Sequence, residues 1–367
     1  MPAYTRTRPG FRALLVDYRA DDYDTNAIRD RLEDHYRKLV RKRDGWVEPP
    51  DDQLWIDDLS EDDIPFRVVN KIRRRVKRYQ ERRKNLTGVD HLKNEDRDAL
   101  KSVQKGVSAS YIDDTGADAL AAELHDRYPW MSAATEHAWH QLRRSARAGT
   151  PAAVGPLLLD GPPGIGKSAW SRSLAAFLRA PHGLIDAAAS NAGFAVSGTE
   201  RGWSTAQAGR PVQLIIQHGH AGPVVVVDEI DKSGVAHSSS GTRMSISHTL
   251  LGLLEPVSAS RWDCPYFRVP WDLSAVSWIL TSNSLNLVPE PLRTRCTIVQ
   301  CQGLTLGHMR LVADRLANEA ELSDPARDAA LEAVERLHGT LQRPIDLRDV
   351  RRVIDRAQAL ETRPVLH

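Results

Sequence analysis

Gly161-Pro162-Pro163-Gly164-Ile165-Gly166-Lys167-Ser168 have the types and spacing that hold a chain of phosphates. The run fits G-x-x-x-x-G-K-[ST], the phosphate-binding loop of nucleotide triphosphatases. Its glycines let backbone N–H groups turn inward as a concave nest for an anion. Lys167 reaches the β- and γ-phosphates as a point charge, and the Ser168 hydroxyl is a ligand for Mg²⁺. A plain turn between a strand and a helix would explain the glycines and prolines, but not the Lys-Ser pair behind them. Pro156 to Asp160 reads as a buried strand before the loop, and Ser168 to Leu178 as a helix after it. The N-terminus of that helix favours phosphate.

A phosphate loop alone hydrolyses nothing. Its partner is Val224-Val-Val-Val-Asp-Glu-Ile-Asp231, where β-branched residues suit a central parallel strand buried on both faces. Ligands of open α/β sheets bind at the carboxyl ends of such strands, which puts Asp228 where it can hold Mg²⁺ through water. Glu229 is the residue placed to polarise an attacking water. A third strand, Ala275 to Asn283, ends in an amide that could orient that water or touch the γ-phosphate. Arg293 and Arg295 follow it. An arginine lent by another copy can raise phosphoryl transfer by about 10³–10⁵. The alternative for arginines in such a loop is a surface ion pair worth little.

The order of phosphate loop, Asp-Glu strand, Asn strand and trailing arginine resembles the AAA+ ATPases. Residues 156–300 look most like the ATPase module of Lon-type proteases. The resemblance rests on Leu251-Gly-Leu-Leu-Glu-Pro256, Phe267-Arg-Val-Pro-Trp-Asp-Leu-Ser-Ala-Val276 and Val288-Pro-Glu-Pro-Leu292. It implies an α/β P-loop fold, a parallel sheet flanked by helices, with a helical C-terminal lid. It implies ATP and Mg²⁺ bound by residues 161–168 and Asp228, with Ser168 and Asp228 at the metal. Glu229 and Asn283 would act in hydrolysis, and Arg295 would be the arginine finger, with Arg293 a helper or a bystander. Trp203, after Gly198-Thr-Glu-Arg-Gly, matches the aromatic that such enzymes point into the pore of a hexamer. It could equally be an ordinary half-buried tryptophan. The lid sensor is normally an arginine, but its place holds Ile345, leaving Arg343 and Arg348 as candidates.

Residues 116–149 are expected as a helical connector, 150–303 as the large ATPase domain and 304–367 as the lid, with helices near 306–321, 325–338 and 346–361. Residues 1–115 are expected as a charged helical region, with helices over 24–42, 64–84 and 95–107. Net charge is only +2, but it is arranged in blocks. Residues 51–63 hold seven acids and no base, whereas 67–84 hold ten bases and Glu81. Phe66, Val69, Ile72, Val76 and Tyr79 recur at helical spacing through the basic block, which gives that helix one apolar stripe. Its basic remainder, Lys71 to Lys84 above all, can answer the acidic segment or a neighbouring subunit, or it can bind nucleic-acid phosphates.

No run approaches eighteen apolar residues and no secretory leader is visible, so a cytoplasmic protein without a membrane span is expected. Cys264, Cys296 and Cys301 form no metal spacing and read as reduced core residues. The expected function is a ring-forming, hexameric ATPase that works on a protein substrate. With no room for the serine–lysine protease domain of Lon-type enzymes before His367, proteolysis would fall to a separate protease or effector chain. The rival is a nucleic-acid-associated ATPase, a loader or regulator, using the basic helix.

Overall fold

A computed structural model of the chain describes residues 4–16, 25–43, 64–87, 89, 91–189, 192–201, 206–233, 246–340 and 344–362. In chain order the elements are β1 (Thr5–Phe11), α1 (Thr25–Arg43), α2 (Phe66–Thr87), α3 (Asn94–Val103), β2 (Val107–Ile112), α4 (Asp114–Arg127) and α5 (Ser132–Ala148). Then come β3 (Leu157–Asp160), α6 (Lys167–Phe177), β4 (His182–Asp186), α7 (Ala192–Ser197), α8 (Arg210–His218) and β5 (Val224–Asp228). They are followed by α9 (Ile246–Leu254), α10 (Pro256–Ala259), β6 (Trp262–Asp263), β7 (Pro270–Trp271), β8 (Ser277–Ser282), α11 (Glu290–Arg293) and β9 (Thr297–Gln300). The chain closes with α12 (Leu306–Glu319), α13 (Asp324–Thr340) and α14 (Leu347–Glu361).

Five strands form one parallel sheet in the order β4-β5-β8-β3-β9. Every residue of β3 and β8 is buried, as are the four valines of β5. Helices cover both faces of a parallel sheet, so its inner strands carry continuous apolar runs rather than alternation. The register aligns the strand ends. Asp160 pairs with Ser282, Asp186 with Asp228, and Val227 with Leu280. That pairing sets Asp228 beside Thr281, so three loops leave the same edge of the sheet together.

The lid is a three-helix unit around Met309, Ala313, Ala330, Val334, Ile345, Val350 and Ile354. Asp346 caps α14 by accepting from the Asp349 backbone N–H at 3.0 Å. Such caps offset one of the unpaired N–H groups at a helix start. Leu347 N–H donates to the Gly164 carbonyl at 3.0 Å, so the start of α14 rests on the phosphate loop.

The chain divides into two compact units. One holds residues 1–15, 105–266 and 270–367, and the other 16–104 with 267–269. Residues 1–115 are therefore not one helical segment. Their two ends form an antiparallel ladder, β1 with β2, in which Thr5 pairs with Ile112 and Phe11 with Val107. The expected helix over 95–107 stops at Val103, and Val107 already belongs to β2. Local periodicity cannot reveal a pairing between strands almost a hundred residues apart. The second unit consists of α1, α2 and α3 with Ile72, Val76, Leu92, Leu100 and Val103 buried. Phe267 and Val269 are buried in it too, and His91 Nε2 bonds the Phe267 carbonyl at 2.8 Å.

Candidate active site

The phosphate loop runs between β3 and α6, and its glycines are needed where they stand. Gly164 and Gly166 have φ of +76° and +95°, in the left-handed region that side chains rarely adopt. A Cβ on Gly164 would run into the Asp346 carboxylate, and one on Gly161 into the Cys301 carbonyl. Lys167 is the first residue of α6 and is buried. Its ammonium donates to the carbonyls of Gly161 at 2.6 Å and Pro162 at 3.0 Å, and to Asn283 Oδ1 at 3.0 Å. Burial pulls its pKa below the usual lysine value, while the carboxylates of Asp228, Asp160 and Asp231 oppose that shift.

Asp228 ends β5. Ser168 Oγ lies 3.3 Å from both of its carboxylate oxygens, and the Thr281 hydroxyl donates to it as well. A hydroxyl beside a carboxylate on hard oxygen ligands is a donor set suited to Mg²⁺, which takes few protein ligands and keeps several waters. Among the described residues no group of three or more His, Cys, Asp or Glu could hold a metal ion.

Glu229 has φ 55° and ψ 47°, left-handed for a residue with a side chain. Such a conformation costs on the order of 1 kcal/mol or more and persists only when neighbours fix it. Here they do: its N–H donates to Thr281 Oγ1 at 3.0 Å and its carbonyl accepts from Lys232 N–H at 2.8 Å. Its carboxylate accepts from Lys232 Nζ at 2.6 Å and from Asn283 Nδ2 at 3.4 Å. The Lys232 bond is the largest cause holding the carboxyl below the usual glutamate pKa, with the Asn283 bond and the charge of Arg348 acting the same way. Glu229 therefore stays ionised at neutral pH.

Lys167, Ser168, Asp228, Glu229 and Asn283 line one cleft of about 560 Å³ with Pro163, Gly164, Gly166, Leu347, Arg172, Arg348 and Arg351. Of the two lid candidates, Arg348 lines the cleft and Arg343 lies outside the described residues. Ile345, at the usual sensor place, is buried in the lid core. Arg295 is exposed and does not line the cleft. It donates to the Pro291 carbonyl at 3.2 Å and lies 4.0 Å from Glu255. Arg293 is half-buried, its Nε without a partner among the described residues. Trp203 lies outside the described residues.

Sequence reasoning missed Thr281, Lys232, Arg172 and Arg351. Thr281 was legible in principle, because it precedes Asn283 by two near the end of β8, the spacing at which an extended chain returns to one side. Lys232 depends on the tight 3₁₀ turn after Glu229, and Arg172 and Arg351 on packing that no local pattern encodes. None of the three cysteines is in a disulfide, all are buried, and burial lifts the thiols of Cys296 and Cys301 to about 12 and about 11. Both remain protonated and inert near neutrality.

This fold and site are those of a P-loop nucleotide triphosphatase. Residues 157–304 match the family model of the ATPases associated with various cellular activities (AAA). Over those residues the chain is similar to the AAA ATPases, and the same region resembles the ATPase module of Lon-type proteases. It is 34% identical over 163 residues to the Lon protease of Desulfovibrio desulfuricans (strain ATCC 27774 / DSM 6949 / MB), a match covering 44% of this chain and 18% of that protein. It is 35% identical over 158 residues to the Lon protease of Methanosphaera stadtmanae (strain ATCC 43021 / DSM 3091 / JCM 11832 / MCB-3), covering 43% and 18%. To the mitochondrial Lon protease homolog of Oryza sativa subsp. japonica it is 32% identical over 210 residues, covering 52% and 20%. The chain spans about a fifth of the length of these relatives. No helix among the described residues is long and apolar enough to cross a membrane.

Proposed function

We propose that the protein is a ring-forming ATPase that hydrolyses ATP at the seam between neighbouring copies and uses the energy to remodel or translocate a protein substrate. The observation that carries this reading is a division of the machinery. Lys167, Ser168, Asp228, Glu229 and Asn283 share one cleft, whereas Arg295 stands outside it, exposed and held, among the described residues, by a carbonyl and a distant carboxylate. A guanidinium so placed is available to a neighbouring copy's site.

In this reading the backbone N–H groups of Gly164, Ile165 and Gly166 and the Lys167 ammonium bind the phosphates. Ser168 and Asp228 would hold Mg²⁺, which when bound would offset phosphate charge. Glu229 accepts a hydrogen bond from the attacking water and aligns it with the γ-phosphorus, with Asn283 steadying Glu229 and the ammonium together. Arg295 of the adjacent copy stabilises charge developing on the transferred group. Arg348 sits on the lid where a change in the cleft reaches α14 through Leu347 and Gly164. A hexameric ring and a protein substrate gripped by Trp203 follow from the likeness to Lon-type enzymes, and a cytoplasmic location stands beside them as part of the proposal.

Mixing subunits tests it. Arg295→Ala and Lys167→Ala proteins should each be inactive, and equimolar mixing should restore turnover at seams that combine an intact cleft with an intact finger. No recovery in mixtures shown to exchange subunits would refute the shared site.

A further inference from the structure

The exposed face of α2 carries a line of cations that pair with no carboxylate among the described residues. Arg67, Lys71, Arg74, Arg75 and Arg78, with Asn70 among them, fence a channel of about 600 Å³. These positions follow one another at helical i+3 and i+4 steps, so the charges run as one stripe about 16 Å long. All five cations are exposed. Among the described residues none has a carboxylate within ion-pair distance, whereas α1 pairs Arg29 with Glu33 and Lys38 with Asp34. Ile72 and Val76 are buried on the opposite side, which turns the stripe outward. Like charges at these spacings destabilise a helix, so the arrangement is at odds with helix stability alone.

We propose that α2 binds the phosphodiester backbone of a nucleic acid through Arg67, Lys71, Arg74, Arg75 and Arg78. Four of the five are arginines, whose planar fork matches two phosphate oxygens at once. A nucleic acid presents negative charge at short, regular intervals along a line, which a straight stripe of one sign complements. A folded acidic protein would need a matching row of carboxylates. The contacts go to the backbone and so carry no base sequence. Arg73 and Lys77, also exposed on α2, add to the field that draws the polyanion in.

The test is fluorescence anisotropy of the full chain with a labelled duplex and a labelled single strand of mixed sequence, titrated with salt. Five neutralised phosphates predict a log–log slope of about −4.5 on duplex and about −3.5 on single strand. On duplex that is a weakening of about 500-fold between roughly 50 and 200 mM salt. Arg74→Glu with Arg78→Glu should cut affinity at least about tenfold and flatten the slope, while Arg74→Lys with Arg78→Lys keeps both. Both double variants should retain the parent's ATP turnover, which certifies folding. The acids of 51–63 are a rival anion within the chain, so a variant with them replaced by Asn and Gln is titrated alongside. Absence of binding in both parent and neutralised variant at low salt overturns the proposal. So does binding indifferent to charge reversal. Displacement of DNA by polyglutamate at equal charge concentration would make an acidic protein the occupant instead, and would equally overturn it.

Discussion

The nucleotide cleft and the α2 face handle charge in opposite ways. In the cleft, Lys167 meets three oxygens, Asp228 meets two hydroxyls, and Glu229 is tied to Lys232 and Asn283. On α2, five neighbouring cations meet no anion among the described residues. Buried charge must be paired within the fold or its desolvation is uncompensated. Exposed charge can wait for a partner in solution, because water screens it. The first arrangement pre-organises chemistry; the second leaves a surface free to recognise something else.

The sharpest break of this comparison is Lys167→Ala, which removes the one cation the cleft is built around. Nucleotide affinity should fall at least about 100-fold, in line with loss of a charge-assisted phosphate contact, as read by a fluorescent ATP analogue. Unchanged binding would remove Lys167 from the phosphate site. Next, Glu229→Gln should keep ATP binding and lower turnover by about 10²–10³, within the range for a positioned acid–base group; steady-state hydrolysis at saturating ATP gives the answer. Thr281→Val strips Asp228 and the Glu229 N–H of a shared partner, so turnover should drop about tenfold or more with binding nearly intact.

Lys232→Met probes pairing through pH. Lys232 holds the Glu229 pKa down, so without it that pKa rises and the acid limb of the rate profile moves to higher pH. At pH 8 the variant should match the parent. The sign for stability is the same: a carboxyl whose pKa is depressed on folding contributes stability above its unfolded pKa and loses it as pH falls through the folded value. The smallest effect belongs to α2. Arg74→Glu replaces repulsion with an attractive pair to Arg78, so thermal stability should rise by a few tenths of a kcal/mol. A loss instead would show that Arg74 has a partner within the fold.

Much of the site was readable because its parts are contiguous. The phosphate loop, the Asp228-Glu229 pair and Asn283 each sit where an apolar strand ends, and burial of those strands is written in their composition. The lid helices were readable from their own periodicity and from prolines near their starts. The N-terminal region was misjudged for the converse reason. Thr5 to Phe11 becomes a strand only through Val107 to Ile112, and neither segment carries enough local preference to announce it.

By itself the sequence determined the phosphate-binding backbone, the identity of the acid and amide beside it, and the apolar strands that must carry them. Those depend on short-range stereochemistry and on the hydrophobic effect, both of which act on neighbours in the chain. Tertiary structure alone decided that Thr281 braces Asp228 and Glu229, that Lys232 depresses the glutamate, that Asp346 and Leu347 seat the lid on Gly164, and that Arg348 and Arg351 face the cleft. Each of these requires groups from separate segments to meet at a few ångströms, and only strand register and helix packing set such distances.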